Sequence, residues 1–553
     1  MPTTGELLLQ ILAARGVSVV FGVPGNHTVA LYRGFSASGM SQTGADQTGT
    51  GPAGIRHITS RHEQGAAFMA DGYARASGRP GVCVLISGPG LLNAATAIAQ
   101  ANADCVPMLV VTGVAATGDL GMNRRRLHEL PNQHATAASF CRDSYTLLDP
   151  NNLPELLDRA FTHLQSAKPG VVHIEIPLDL MEQPVTAVRP PVSLLPTSPG
   201  PDPAAITAAA RRLEAASRPL ILVGGGAVSA AAEITRLAEM LDAPVLNTVN
   251  GKGICPRGHP LAVGGSPALP VVRAALAQAD AVLAIGTELG ETDYDLLMAG
   301  AMPDTAAWVR IDIDPFALQQ PTPSAIAITS DARLAVQQLL AAVQTQRRTS
   351  DGAERADKLR NAIREEAHYH VEMAEFFATL QRAAPDAVVV GDSSRPNYYA
   401  AWQYECAGPR RYFHSVSGFG TLGYALPAAL GAALAVECPI IALIGDGGIQ
   451  FTMPELTTGA QTQLPVAVIV WNNEGYAEIE NSMRAQAVPV DSTRILTPDF
   501  ESVARAHHCD YARPVDHAML ETAIKQAHGN TRPTVIEVRE SDFLTQPSGQ
   551  WYQ

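Results

Sequence analysis

The chain has seven cysteines (83, 105, 141, 255, 406, 438 and 509) but no CxxC pair. They are scattered and odd in number, so they outline neither a disulfide framework nor a zinc site, and a reducing cytoplasm is the expected setting. Basic charge is scarce: 39 Lys and Arg stand against 53 Asp and Glu, a formal net charge of -14. That balance argues against a partner made of nucleic acid or anionic membrane, both of which select for basic surface. Charged residues are only 17% and hydrophobic residues 46%, the composition of a folded protein with large buried interiors. No apolar run is clean enough to span a membrane. The longest, 425–445, is interrupted by Pro427, Glu437 and Pro439 and reads as a buried helix followed by a buried strand. The opening residues lack a basic segment before Leu7, Leu8, Ile11 and Leu12, and read as an amphipathic helix rather than a signal peptide.

A length of 553 residues exceeds what one core supports. Short β-branched runs alternate with Ala/Leu-rich helical patterns throughout: 82–87, 108–112, 172–176, 220–223, 281–285, 308–313, 387–390, 440–444, 466–471 and 534–538. This alternation predicts an α/β fold of consecutive doubly wound domains, with mainly parallel sheets covered on both faces. Two segments break the rhythm. Residues 184–203 carry seven prolines and predict a stiff extended linker; residues 344–357, polar and charged, predict a second. The expected domains are therefore three: 1–185, 186–345 and 346–553.

The third block holds IALIGDGGIQFTMPEL (441–456) and, one helix length later, VAVIVWNNEGY (466–476). A strand ending in Gly-Asp-Gly sets the Asp446 carboxylate at the C-terminal edge of a parallel sheet, where the following helix turns its amides toward the same crevice. The next strand brings the Asn473 amide oxygen to that edge. Together they suit a hard, oxygen-preferring cation that also holds phosphate oxygens, and Gly447 and Gly448 allow close backbone approach. A bare GDG is also a common turn; the pairing with NN is what carries the reading. This pair resembles the thiamine diphosphate signature of acetolactate synthases, pyruvate decarboxylases and benzoylformate decarboxylases. The resemblance implies thiamine diphosphate and Mg2+, with Asp446, Asn473 and the main-chain carbonyl of Gly475 as metal ligands and Gly445, Gly447, Gly448 and Tyr476 against the cofactor. It also implies that the three blocks are pyrimidine-binding, central and diphosphate-binding domains.

The first block holds SRHEQGAAFMADGYARASGRPGV (60–82). Glu63 opens a helix in which Ala66, Ala67, Ala70 and Ala74 form a small-residue face suited to close packing against another domain. By itself, an acid there is simply favoured at a helix N-terminus. The segment, however, resembles the one that carries the family's cofactor-activating glutamate, which hydrogen-bonds the aminopyrimidine so that the cofactor acts as its own base. In HSVSGFGTLGYALPAALGAAL (414–434), the Gly420 carbonyl matches the acceptor that orients the aminopyrimidine, and Leu422 matches the apolar residue over which the cofactor bends; plain core is the alternative for Leu422. Family members place the glutamate and the diphosphate motif on different subunits, which implies a homodimer or a homotetramer built from dimers.

PLILVGGG (219–226), followed by VRIDIDP (309–315), sketches a nucleotide-type fold, but GGG is not GxGxxG. The matching domain holds FAD in acetolactate synthases and is empty or holds another nucleotide elsewhere in the family, so FAD stays open here. VPGNHTVALYRGF (23–35), GDLGMNRRRLHELPNQHA (118–135) and NNEGYAEIENSM (472–483) resemble 5-guanidino-2-oxopentanoate decarboxylases, relatives of acetolactate synthase. The expected reaction is decarboxylation of a 2-oxo acid to an aldehyde, with acetolactate synthase-like carboligation as the alternative. Asn26 and His27 are candidates at the reacting end, with His128 and Glu129 beside them, and Glu478 is a candidate partner for a guanidinium. Structural histidines and a solvated helix glutamate are the competing readings.

Overall fold

The computed structural model describes residues 1–35, 54–186, 194–294, 305–320, 323–344, 351–366 and 369–545. Seventeen strands among them form three sheets in which every pairing is parallel. The first contains β1 (Val19–Gly22), β2 (Arg56–Thr59), β3 (Gly81–Leu85), β4 (Met108–Val114), β5 (Asp143–Thr146) and β6 (Val171–Pro177), in the order β2-β1-β3-β4-β6-β5. The second contains β7 (Pro219–Val223), β8 (Val245–Asn247), β9 (Ala281–Ile285), β10 (Trp308–Asp312) and β11 (Ile326–Thr329), in the order β11-β10-β9-β7-β8. The third contains β12 (Val388–Gly391), β13 (Tyr412–His414), β14 (Ile440–Gly445), β15 (Val466–Asn472), β16 (Asp510–Ala512) and β17 (Thr534–Arg539), in the order β13-β12-β14-β15-β17-β16. Central strands such as β3, β4 and β15 are buried along their whole length, as helices on both faces require.

The first and third sheets share one strand order, so each has a switch point between its first and third strands, where connections leave in opposite directions. Ligands of such sheets sit outside the C-terminal ends at that point. In the first domain those ends lead into Asn26–His27 and Ser87–Gly88; in the third they lead into Asp392 and Asp446.

The small-residue face of the helix Glu63–Ser77 packs on the helix Ala425–Ala433 of the third domain. Contact is backbone to backbone. A Cβ on Gly72 would fall 2.0 Å from the Ala428 carbonyl oxygen, and one on Gly431 would fall 1.9 Å from that of Met69. The 425–445 segment is the helix and strand expected of it, and no helix among the described residues is long and apolar enough to cross a membrane.

The proline-rich segment starts pinned to the chain's beginning, where Val185 N–H donates to the Pro2 carbonyl; residues 194–202 carry no helix or strand, and residues 187–193 lie outside the described residues. Residues 345–350 of the second expected linker lie outside the described residues, and the rest needs correction. From Gly352 onward it is a helix, Gly352–Glu365, whose first amides donate to the Asp242 carboxylate. Ala356, Leu359 and Ile363 turn one narrow stripe onto Val272 and Leu276 of the middle domain. Three apolar positions among charges were too few to announce a helix.

Candidate active site

Asp446 opens the short helix Asp446–Ile449 directly after β14. Its side chain is 1% exposed, and neither carboxylate oxygen has a hydrogen-bond partner. Burial raises its pKa to about 6 against the opposing pull of the main-chain amides of Asn473, Gly447 and Gly475, none of which meets full hydrogen-bond geometry. An ionised carboxylate in such a place is costly without a cation. Asn473 arrives beside it from β15, and its side-chain NH2 donates to Glu540 Oε2 at 3.3 Å, which leaves the amide oxygen as the free acceptor. A carboxylate, an amide oxygen and the Gly475 carbonyl form a hard donor set that fits Mg2+. Such a site has only one acid, consistent with there being no metal-competent cluster of three His, Cys, Asp or Glu among the described residues. The Tyr476 ring closes over Gly447, where a Cβ would come within 2.7 Å of it, and Gly445 and Gly448 face Ser394 and Asp392.

The loop with Gly420 and Leu422 is held over this edge. Gly418, Gly420 and Gly423 have φ of 72°, 70° and 80°, a backbone that side chains other than glycine's resist. Asp392, fully buried, accepts the N–H groups of Gly423 (3.2 Å) and Ala425 (3.1 Å), and Ser415 Oγ donates to the Thr421 carbonyl at 2.6 Å. Leu422 is half-buried and Gly420 exposed. From the first domain, Gln100 joins the loop through Thr421 N–H (3.3 Å) and the Ser417 carbonyl (3.2 Å).

Glu63 is 9% exposed and accepts the Asn93 side-chain amide at 2.9 Å. The turn before its helix is held from the third domain, where Glu455 accepts the N–H groups of Arg61 and His62, each at 3.0 Å. His27 hydrogen-bonds Ser87 through Nδ1, and its ring meets the His128 ring edge-on at 4.9 Å. Burial, then His128, lowers the His27 pKa. Asn26 is exposed beside it.

The structure therefore unites Asp446 with Asn473, Gly475 and Tyr476, and His27 with His128. It gives two candidates partners that the sequence did not suggest. Glu129 accepts the main-chain N–H groups of Arg124 (3.2 Å) and Arg126 (2.8 Å), stabilising its own turn. Glu478 is salt-bridged to Arg395, whose side chain is 3% exposed and which also pairs with Glu540. The Gly224–Gly226 turn has a packing use: Cβ atoms at Gly224 and Gly226 would fall 2.3 Å and 3.0 Å from Gly286.

Three family models match in chain order: the N-terminal TPP binding domain of thiamine pyrophosphate enzymes at residues 2–137, their central domain at 206–339 and their C-terminal TPP binding domain at 392–538. The chain belongs to the thiamine diphosphate-dependent enzymes. Among curated thiamine diphosphate enzymes, it is 39% identical to a probable 2-ketoarginine decarboxylase of Pseudomonas aeruginosa, over 98% of this chain and 94% of that protein. It is 30% identical to the acetolactate synthase isozyme 1 large subunit of Escherichia coli, over 97% and 94%. A probable acetolactate synthase large subunit of Methanocaldococcus jannaschii is 27% identical, over 96% and 91%.

Sequence reasoning missed three side chains of this thiamine diphosphate enzyme that hold others in place: Asp392, Glu455 and Glu540. Asp392 had a visible signal, since Gly391-Asp392 ends one strand as Gly445-Asp446 ends another. Glu455 and Glu540 had none, because their partners lie 394 and 67 residues away.

Proposed function

We propose that this enzyme decarboxylates a 2-oxo acid to an aldehyde and CO2, with 5-guanidino-2-oxopentanoate as its substrate. The observation that carries this reading over carboligation is full-length identity of 39% to a probable 2-ketoarginine decarboxylase against 30% to an acetolactate synthase large subunit. Thiamine diphosphate, when bound, supplies the carbon nucleophile and the electron sink that loss of CO2 requires. Asp446, Asn473 and the Gly475 carbonyl would hold Mg2+ and with it the diphosphate, helped by Gly445, Gly447, Gly448 and Tyr476. Glu63 would hold a proton for the cofactor's pyrimidine ring, the Gly420 carbonyl would accept a hydrogen bond from that ring, and Leu422 would give it an apolar support. His27, kept neutral by its lowered pKa and fixed by Ser87, turns its other nitrogen to the substrate alongside Asn26 and His128. Glu478 has its counter-ion within the chain, so it shapes the pocket with Arg395 rather than waiting as a free acid.

The working unit in this reading is a homodimer or a pair of dimers, in a reducing cytoplasm that suits seven free thiols. Leu92, Phe419 and Phe451 support this: they are 46%, 54% and 51% exposed on the segments that carry Asn93, Gly420 and Asp446, apolar surface that a partner subunit would cover.

The test is product analysis. Protein loaded with Mg2+ and thiamine diphosphate is given 5-guanidino-2-oxopentanoate or pyruvate, and CO2, aldehyde and acetohydroxy acid are separated. The expected result is CO2 and the guanidino aldehyde in equal amounts; acetolactate from pyruvate as the main product would overturn it. Glu63→Gln should cut turnover by roughly 10²-fold or more while cofactor binding persists.

A further inference from the structure

A cavity of about 330 Å3 opens at the C-terminal edge of the first sheet, between the segment after β4 and the end of β5. That volume suits a small organic ligand. Val114, Leu120, Leu130 and Leu148 give it an aliphatic wall, two carboxylates, Glu129 and Glu175, also line it, and no Lys or Arg does. Glu175 is 3% exposed, and its hydrogen bonds come from neutral donors, Thr146 Oγ1 at 2.7 Å and Gln133 Nε2 at 3.0 Å. Glu129 takes only main-chain N–H groups from Arg124 and Arg126, whose guanidinium groups turn away to Asp119, each at 2.8 Å. Neither acid is in a salt bridge with Lys or Arg among the described residues; Arg126 attracts Glu129, and His134 of the cavity wall attracts Glu175, only at longer range. For Glu175, which is buried, that condition is costly, and a ligand cation would remove the cost; Glu129 is half-buried beside it.

The cavity also adjoins the candidate reacting centre. His128 lines it and meets His27 edge-on. Gln133, which holds Glu175, accepts the Gly88 N–H at 2.8 Å, and two residues on, a Cβ at Gly90 would stand 3.7 Å from Glu63 Oε1. The Ser87–Gly90 turn thus has the cavity on one side and Glu63 on the other.

We propose that this cavity receives the cationic end of the substrate: the aliphatic wall takes the methylene chain, and Glu175 with Glu129 supplies the counter-charge for an alkyl guanidinium. The proposal rests on the decarboxylase reading above and names the site that selects its substrate class.

The test compares wild type, Glu175→Gln and Glu129→Gln holoenzymes on 5-guanidino-2-oxopentanoate and on uncharged 2-oxohexanoate. Losing one charged partner should lower kcat/KM for the guanidino acid about tenfold or more, mainly through KM, and change the neutral acid little. Leu148 is 67% exposed at the rim, so Leu148→Arg leaves the core alone and should repel the guanidino acid selectively. Calorimetric binding of unreactive 4-guanidinobutanoate should weaken in all three variants. Equal losses on both substrates, or guanidinobutanoate binding untouched by all three substitutions, would overturn the proposal. A wild type that forms no aldehyde from the guanidino acid would sink the decarboxylase reading instead, and guanidinobutanoate binding would still judge the cavity.

Discussion

Glu540 accepts the Asn473 side-chain amide at 3.3 Å and the Trp471 indole N–H at 2.7 Å with one oxygen, Oε2, while its other oxygen receives Arg395. One acid just past β17 therefore fixes which way the Asn473 amide faces. Partners behind a metal ligand of this kind typically change affinity 10- to 100-fold. Glu540→Ala should weaken Mg2+-dependent binding of thiamine diphosphate by about that factor while far-UV circular dichroism stays unchanged. Calorimetric titration at fixed Mg2+ decides it; an unchanged dissociation constant would show that Asn473 keeps its orientation without help.

The Gly72–Ala428 contact sets a second expectation. A Cβ at Gly72 would meet backbone rather than a side chain that can swing aside, so the two helices must separate. Gly72→Ala should destabilise the fold by about 1–3 kcal/mol, the usual cost of overpacking, and lower the thermal midpoint. Gly118→Ala is the control, with nothing within 4 Å of its Cβ, and it should leave the midpoint where it was. Equal midpoints for the two variants would refute the close helix contact.

Those same elements show what was legible in the sequence. The long buried strands were, because an apolar β-branched run between helical patterns has few other uses: each of the ten expected runs coincides with a strand. The strands not anticipated are short: Val19–Gly22 gives only four residues of signal, and the edge strand Arg56–Thr59 buries only Ile58. Asp446 and Asn473 stood out because each ends a strand in a distinctive motif. The cavity's Glu175 did not, since it sits inside the ordinary strand Val171–Pro177 and its meaning depends on Gln133 and Thr146, brought to it by the fold. Glu478 shows the limit from the other side: the sequence offers it as a recognition acid, but Arg395, 83 residues away, holds it.

His173 offers a pH test. It is fully buried in β6, with Nε2 against Thr112 Oγ1 and Nδ1 against Ser144 Oγ, both at 2.8 Å, and burial lowers its pKa to about 3. The unfolded chain takes up this proton near pH 6.5 and the folded chain only near 3, so the stability present above pH 6.5 is lost as pH falls through that window. The loss approaches about 1.4 kcal/mol per pH unit for one group. His57 and His414, with pKa values lowered to about 4 and 3, slope the same way, while the buried carboxylates Asp104, Asp392 and Asp446, raised to about 6, slope the other way, so the comparison of variant with wild type, not the wild-type curve alone, isolates His173. His173→Gln keeps a donor and an acceptor for the two hydroxyls but cannot titrate. Unfolding measured at pH 7.5, 6.5, 5.5 and 4.5 should show the variant losing less stability than wild type at each step below 6.5, with the gap between them narrowing or reversing in acid. Parallel curves for the two proteins would mean that His173 is already protonated in the folded state and that its two hydroxyl partners stabilise the charge.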